Sequence, residues 1–167
     1  TFAVAFSPDS HFLAMGGFSY AAQVVDVPRA KDVLQLLLDD SAQSLAWNAD
    51  GTAIAAASND GTARIWSFSG GHEISRMPMG FANVVYQVEF SPDGTQLATA
   101  SIDGVIRTWQ ATKAWQDVGL NHGDSVIAVA FSPDGQYLAS SAGTTAYLYD
   151  AQTGALLQRL AHPALAW

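Results

Sequence analysis

The fold class this sequence predicts is an all-β chain of repeated antiparallel units, and three observations carry the prediction. The first is a recurring pentapeptide. Phe90-Ser91-Pro92-Asp93-Gly94 and Phe131-Ser132-Pro133-Asp134-Gly135 spell it in full, Phe6-Ser7-Pro8-Asp9-Ser10 differs in its last residue, and Trp47-Asn48-Ala49-Asp50-Gly51 is a weaker copy in the same phase. The second is the period: the four copies stand 41, 43 and 41 residues apart, and a fixed spacing in that range marks a repeat architecture. The third is apolar alternation around each copy, as in Val126, Ala128 and Ala130 before the Phe131 copy and Leu138 after it, the pattern of a half-buried strand. Proline suits the first central position of a type I turn, and Asp and Gly favour the positions that follow. Each copy therefore predicts a β-hairpin.

Taken in order, the chain resolves into four copies of one unit. The first predicts strands over 2–6, 12–15, 23–26 and 33–38. Residues 31–40 also admit a helix, because Leu34, Leu37 and Leu38 share a helical face; the phase of the repeat selects a fourth strand. The second copy predicts strands over 44–47, 53–58, 63–66 and, beyond Gly70-Gly71, 74–77. The third predicts 84–90, 96–101, 105–109 and 115–120, and the fourth 126–131, 137–141, 146–149 and 156–160. Four short antiparallel strands repeated at this period make a β-propeller blade. The expected architecture is thus about four blades, a partial propeller. It forms a single segment over 1–167, with repeats at approximately 1–40, 41–80, 81–121 and 122–161 and the start of a further repeat at 162–167.

Composition narrows the function classes. Apolar residues make up 49% of the 167 residues and charged residues 13%, which excludes a disordered chain and allows a sizeable core. Net charge is −8, with the seven basic residues scattered between Arg29 and Arg159. No basic patch is available to neutralise phosphates, so nucleic acid is not an expected partner. The chain has no cysteine, which removes disulfide and thiolate chemistry and favours a reducing compartment. With no signal peptide in the sequence, the expected location is cytoplasmic. The longest apolar runs, near 36–38 and 53–57, are too short to span a bilayer, and no membrane partner is expected. The chain opens at Thr1 without Met, the opening expected of a processed, excised or incomplete chain.

A family resemblance enters on two further strings. Residues 55–66 read Ala-Ala-Ala-Ser-Asn-Asp-Gly-Thr-Ala-Arg-Ile-Trp, and residues 98–109 read Ala-Thr-Ala-Ser-Ile-Asp-Gly-Val-Ile-Arg-Thr-Trp. Each follows its hairpin at the same distance, and together they resemble the WD40 (WD-repeat) family, with bacterial-style repeats, over essentially the whole chain. The closing Trp-Asp pair is eroded to Val25-Asp26, Trp66-Ser67, Trp109-Gln110 and Tyr149-Asp150. The resemblance implies a hydrogen-bonded His, Ser or Thr, Asp and Trp within each blade. Copies two and three match Ser58, Asp60 and Trp66, and Ser101, Asp103 and Trp109, but their His positions fall on Leu38 and Phe81. Copy four has His122 and Tyr149 and loses the Asp to a one-residue deletion at Ala142-Gly143-Thr144; copy one has Gly17, Ser19 and Val25. No blade holds the full set, so the blades are expected to depend more on apolar packing.

No catalytic constellation stands out. Ser125, His122 and Asp124 share one short loop, which suits a strand-capping turn better than a triad. His11, His72, His122 and His162 recur in different phases and define no common metal site. The turns at Asn59-Asp60-Gly61 and Ile102-Asp103-Gly104 lack the dense ligand loop of a calcium site, and Gly70-Gly71 precedes no helix that would complete a phosphate cradle. Trp47, Trp66 and Trp109 occupy core positions of the repeat, as packing anchors rather than a sugar-stacking surface. The expectation is no enzyme activity, no cofactor and no metal.

What remains is surface. In the family, the loops before the first strand of a blade and those joining its second and third strands share one face of the disc. By that resemblance the expected partner-binding residues are Phe18, Tyr20, Asp39, Asp40, Phe81, Asn83, His122 and Asp124, with Ser19, Asn59 and Ile102 beside them. Aromatics next to carboxylates suit a protein or peptide partner. The expected function is a non-catalytic protein–protein interaction scaffold within a larger signalling or regulatory protein; an attached kinase or NTPase is implied by the resemblance alone. The alternatives are a glycan- or small-ligand-binding propeller and, further off, a propeller hydrolase. The family usually closes its ring with seven or eight blades, so four blades leave an open arc. Further blades of the same parent chain, or a second copy of this one, would complete it.

Overall fold

The computed structural model describes residues 3–80, 83–110 and 118–161, and their regular structure consists of sixteen strands. The first sheet contains β1 (Ala3–Phe6), β2 (Phe12–Gly16), β3 (Ala21–Asp26) and β4 (Lys31–Leu37). The second contains β5 (Ala42–Trp47), β6 (Ala53–Ser58), β7 (Thr62–Ser67) and β8 (Glu73–Pro78). The third contains β9 (Val85–Phe90), β10 (Gln96–Ser101), β11 (Val105–Gln110) and β12 (Val118–Asn121). The fourth contains β13 (Val126–Phe131), β14 (Tyr137–Ala142), β15 (Thr145–Asp150) and β16 (Leu156–Ala161). Within each sheet the strands pair in chain order, and every pair is antiparallel. This is the expected all-β partial propeller of four four-stranded blades. Residues 162–167, where a further repeat was expected, lie outside the described residues, as does the first part of the strand predicted over 115–120.

The recurring pentapeptide forms the turn between the first and second strands of each sheet. Ser7 donates its hydroxyl to Asp9 Oδ1 at 2.5 Å and accepts from the Phe12 N–H at 2.9 Å, while Asp9 Oδ1 also accepts from the His11 N–H. Ser91 with Asp93 and Ser132 with Asp134 repeat the arrangement. The serine hydroxyl holds the Asp9, Asp93 and Asp134 carboxyls below the usual carboxylate range. In the second copy Asn48 replaces serine, and its side-chain oxygen accepts from the Ala53 N–H at 2.8 Å. One hydrogen bond is rebuilt from a different side chain, so the divergent sequence keeps the turn.

The segment with a competing helical pattern is a strand. β4 pairs with β3 from Ala21↔Leu37 to Asp26↔Lys31. Leu36 is fully buried while its neighbour Leu37 is exposed, an alternation of period two that a helix would not produce.

The sheets stand side by side in an arc. β1, β5, β9 and β13 touch one another in series, which places the first strands inside and the fourth strands outside. Alternation along each strand gives every sheet a front face, toward the next sheet, and a back face, toward the previous one. The front positions of the second strands are small: Ala14, Ala55 and Ala98 are all fully buried there. The back faces are bulky, with Leu45, Ile54 and Trp66 of the second sheet packed on Ala3, Ala14, Ala22, Val24 and Leu36 of the first. Val85, Val88, Phe90, Leu97 and Trp109 pack in the same way on Ala53, Ala55, Ala63 and Ile65. Val126, Val129, Leu138 and Tyr149 then pack on Ala98, Ala100 and Ile106. Backbones approach closely at these junctions. A Cβ added to Gly16 would lie 2.6 Å from Ala42 Cβ, well inside van der Waals contact.

Candidate functional site

The second-to-third-strand loops and the connections between sheets share one rim of the arc. Within sheets, the N–H groups of Leu38, Met79 and His122 donate to the carbonyls of Tyr20, Gly61 and Gly104 at 2.9, 2.8 and 2.8 Å. Between sheets, the Ala42 N–H donates to the Gly17 carbonyl at 3.2 Å and the Ser125 hydroxyl to the Ile102 carbonyl at 3.1 Å. These bonds set Phe18, Tyr20, Asp39, Asp40, Asn83, His122 and Asp124 along that one rim. Phe81 lies outside the described residues.

Side chains on this rim differ in how far they are committed to the fold. Phe18 and Tyr20 are 78% and 70% exposed, a large solvent-facing aromatic area on one loop. Asp39 is exposed but paired: Arg64 donates to its Oδ2, and Arg76 lies 3.3 Å from the same atom. Hydrogen bonding and charge from Arg64, then charge from Arg76, hold the Asp39 carboxyl below its usual range. Asp40 caps its own turn, its Oδ1 accepting from the Ser41 N–H and hydroxyl at 2.6 and 2.9 Å. Asn83 donates to the Met79 carbonyl at 2.6 Å. Asp124 is exposed, and its Oδ1 accepts from the Ser125 N–H at 2.7 Å.

His122 is half-buried and held at both ring nitrogens. Nδ1 is 2.9 Å from the Leu120 carbonyl, and Nε2 is 2.9 Å from both the Ser140 and Tyr149 hydroxyls. A carbonyl can only accept, so Nδ1 carries the proton, and in the neutral ring the single Nε2 lone pair faces the two hydroxyls as acceptor. Burial pushes the imidazole below its ordinary value, and the neutral form is the one this geometry uses. Ser125 points to Ile102 instead of His122, so Ser125, His122 and Asp124 do not assemble as a nucleophilic triad. Among the described residues, no group of three or more His, Asp or Glu side chains is placed to hold a metal ion.

Two features of this rim were not read from the sequence. The first is Arg64, 2% exposed. Its guanidinium donates to Asp39, to Asp60 at 2.6 Å, to the Thr62 hydroxyl at 2.9 Å and to the Leu37 carbonyl at 3.2 Å. The first and second sheets are thereby tied through a buried cation where the sequence led us to expect apolar packing. The signal was present in the spacing of Asp60 and Arg64 across one turn. The second is a β-bulge near the start of β5, β9 and β13, where the register skips Gln43, Tyr86 and Ile127. A bulged residue is released from the ladder and re-aimed. Gln43 turns to Asn59 on the rim at 2.8 Å, and Ile127 is exposed. Pairing register is not visible in residue type, so only the repeated phase of these three positions could have indicated them.

Comparison with known families matches residues 39–67, 77–110 and 117–150 to the WD40 family model, described as WD domain, G-beta repeat. These matches cover more than half of the chain. A chain in the crystal structure of a mitotic checkpoint complex shares the fold, with a TM-score of 0.87 and 24% sequence identity. The superposition covers 96% of the present chain and 50% of that one, so the present chain spans half the length of its structural relative. No curated protein sequence matches.

Two predictions test which rim groups hold the fold. Asp60 is the buried partner of Arg64 and Asp39 the exposed one. Asp60→Ala should cost about 3 kcal/mol by leaving a buried cation without its inner carboxylate, whereas Asp39→Ala should cost less than about 1 kcal/mol; denaturant unfolding measures both. The His122 imidazole is lower in the folded than in the unfolded chain, so the unfolded chain binds the proton first as pH falls. Its contribution should be intact above the unfolded value of 6.5 and decline below it. The stability difference between the unaltered protein and His122→Gln should therefore shrink between pH 7.5 and 5.

Proposed function

The chain belongs to the WD-repeat family, and from that premise we propose that it is a non-catalytic protein-interaction module whose rim of loops and sheet connections receives a protein or peptide partner. The observation that carries the proposal is the exposure of Phe18 and Tyr20, 78% and 70%, on one loop of this rim. Aromatic side chains bring large contact area at low conformational cost and are the usual energetic anchors of an interface. Asp39, on the connection that follows the same sheet, and Asp124, further along the rim, both present exposed carboxylates, so the chemistry suits an apolar segment with neighbouring basic residues; charges at such a border chiefly steer encounter. The solved chain that shares the fold comes from a mitotic checkpoint complex, a setting in keeping with an interaction role. The module serves a larger signalling or regulatory protein.

Capture of a partner by the parent protein, followed by titration against rim variants, tests this. Tyr20→Ala and Phe18→Ala should each weaken the captured partner by about 30-fold with the unfolding midpoint unchanged. Unchanged affinity in both variants would move the site elsewhere, and turnover in a general hydrolase panel would overturn the non-catalytic role.

A further inference from the structure

The rim opposite the candidate site carries the pentapeptide turns, and its junctions between sheets are not alike. At the first junction an aromatic ring closes the rim. Phe68, just after β7, has its ring centroid 4.7 Å from that of Phe12 on the first sheet and 5.0 Å from that of Trp47. The groove left there measures about 130 Å³. At the third junction the corresponding groove, lined by described residues of the third and fourth sheets, measures about 800 Å³.

The same backbone frame surrounds both grooves. Phe12 and Gln96 each donate an N–H to the serine of their turn at 2.9 Å, so Gln96 stands where Phe12 stands. The Phe68 N–H donates to the Thr52 carbonyl at 2.8 Å and the Ala151 N–H to the Gln136 carbonyl at 2.9 Å, so Ala151 takes the place of Phe68. Phe131, the first residue of its pentapeptide, repeats Trp47. The turns are no further apart: a Cβ added to Gly51 would lie 3.6 Å from Pro8, and one added to Gly135 would lie 3.6 Å from Pro92. The larger groove is therefore the space of two missing rings, not a gap between splayed sheets. Phe131 lines it and is only half-buried, without the contacts that Trp47 gains from Phe68.

Asp93, Asp134 and Asp150 border this groove. The ion pairs among the described residues engage other carboxylates, those of Asp26, Asp39, Asp60, Glu73 and Asp103. Turn hydrogen bonds, led by the Ser91 hydroxyl, the Ser132 hydroxyl and the Thr153 N–H respectively, hold all three below the usual carboxylate range. The groove thus joins an uncovered aromatic wall to negative charge.

We propose that the groove between the third and fourth sheets receives an aromatic side chain of a protein partner, flanked in the partner's sequence by lysine or arginine. The ring takes the place that Phe68 fills at the first junction, against Phe131, and the neighbouring cations face Asp93, Asp134 and Asp150. This surface is separate from that of Phe18 and Tyr20, on the opposite rim.

An NMR titration of the isotope-labelled protein with acetyl-Lys-Phe-Lys-amide tests this. Saturable shifts are expected at the Gln96, Gly135 and Ala151 amides. Acetyl-Lys-Ala-Lys-amide and acetyl-Glu-Phe-Glu-amide should each bind at least about 10-fold more weakly. Ala151→Phe rebuilds the ring present at the first junction and should weaken the peptide by about 10-fold or more while the protein stays folded. Gln96→Phe, which rebuilds the other ring, is the second variant if the first does not fold. Absent shifts, shifts centred elsewhere, equal binding of either control peptide, or unaltered binding by a folded ring variant would overturn the proposal. Concentration-dependent shifts at the same amides without peptide would make the occupant a second copy, and calcium alone producing them would make this an ion site; either result also overturns it.

Discussion

Every other feature of this molecule depends on the need of a four-stranded sheet to cover two apolar faces. A sheet that buries one face can expose alternate residues to water on the other. Here the interior sheets bury both, and the sequence answers with a division of size on the second strand of each sheet: alanine toward the next sheet, as at Ala55 and Ala98, and Ile54 or Leu97 toward the previous one. Small against large lets neighbouring backbones approach closely, and burial of this kind contributes about 25 cal/mol per Å² of apolar area. The turns, the bulges and the buried arginine all serve to hold sheets in the register that this packing requires.

Polar groups in the blades are satisfied by different means in different sheets. The second sheet uses Arg64 with Asp60 and Asp39, the third places Arg107 2.8 Å from Asp103 and lets Trp109 donate to Thr99, and the fourth uses His122 with Ser140 and Tyr149. The condition shared by these solutions is that a buried donor or acceptor finds a partner. The identity of the partner is free to drift, which is how a chain with an eroded Trp-Asp pair keeps the fold. The same drift separates rim residues engaged by the fold, such as His122 and Asn83, from those left to solvent, such as Tyr20.

Most of the fold was legible in the sequence because it is written in local chemistry. The Ser-Pro-Asp-Gly turns, the two-residue alternation and the constant period each act over a few residues, and all four sheets follow from them. Repeat phase even decided the strand at Lys31–Leu37 against its helical pattern. Less of the candidate site was legible. Phe18 and Tyr20 could be placed on the rim by phase, but whether a rim side chain is exposed or bonded inward depends on contacts between sheets. The Asp39 to Arg64 link joins residues 25 positions apart, and the bulges at Gln43, Tyr86 and Ile127 are properties of pairing, which residue type does not reveal.

The most direct measurement of the account compares the same substitution on a covered and an uncovered front face. Ala98 is fully buried at the third junction, whereas Ala139 occupies the same position on the last sheet and is only half-buried. Denaturant unfolding should show Ala98→Leu costing about 2 kcal/mol through overpacking and Ala139→Leu changing stability by less than about 0.5 kcal/mol. Equal costs at the two positions would contradict the view that packing between sheet faces holds this molecule together.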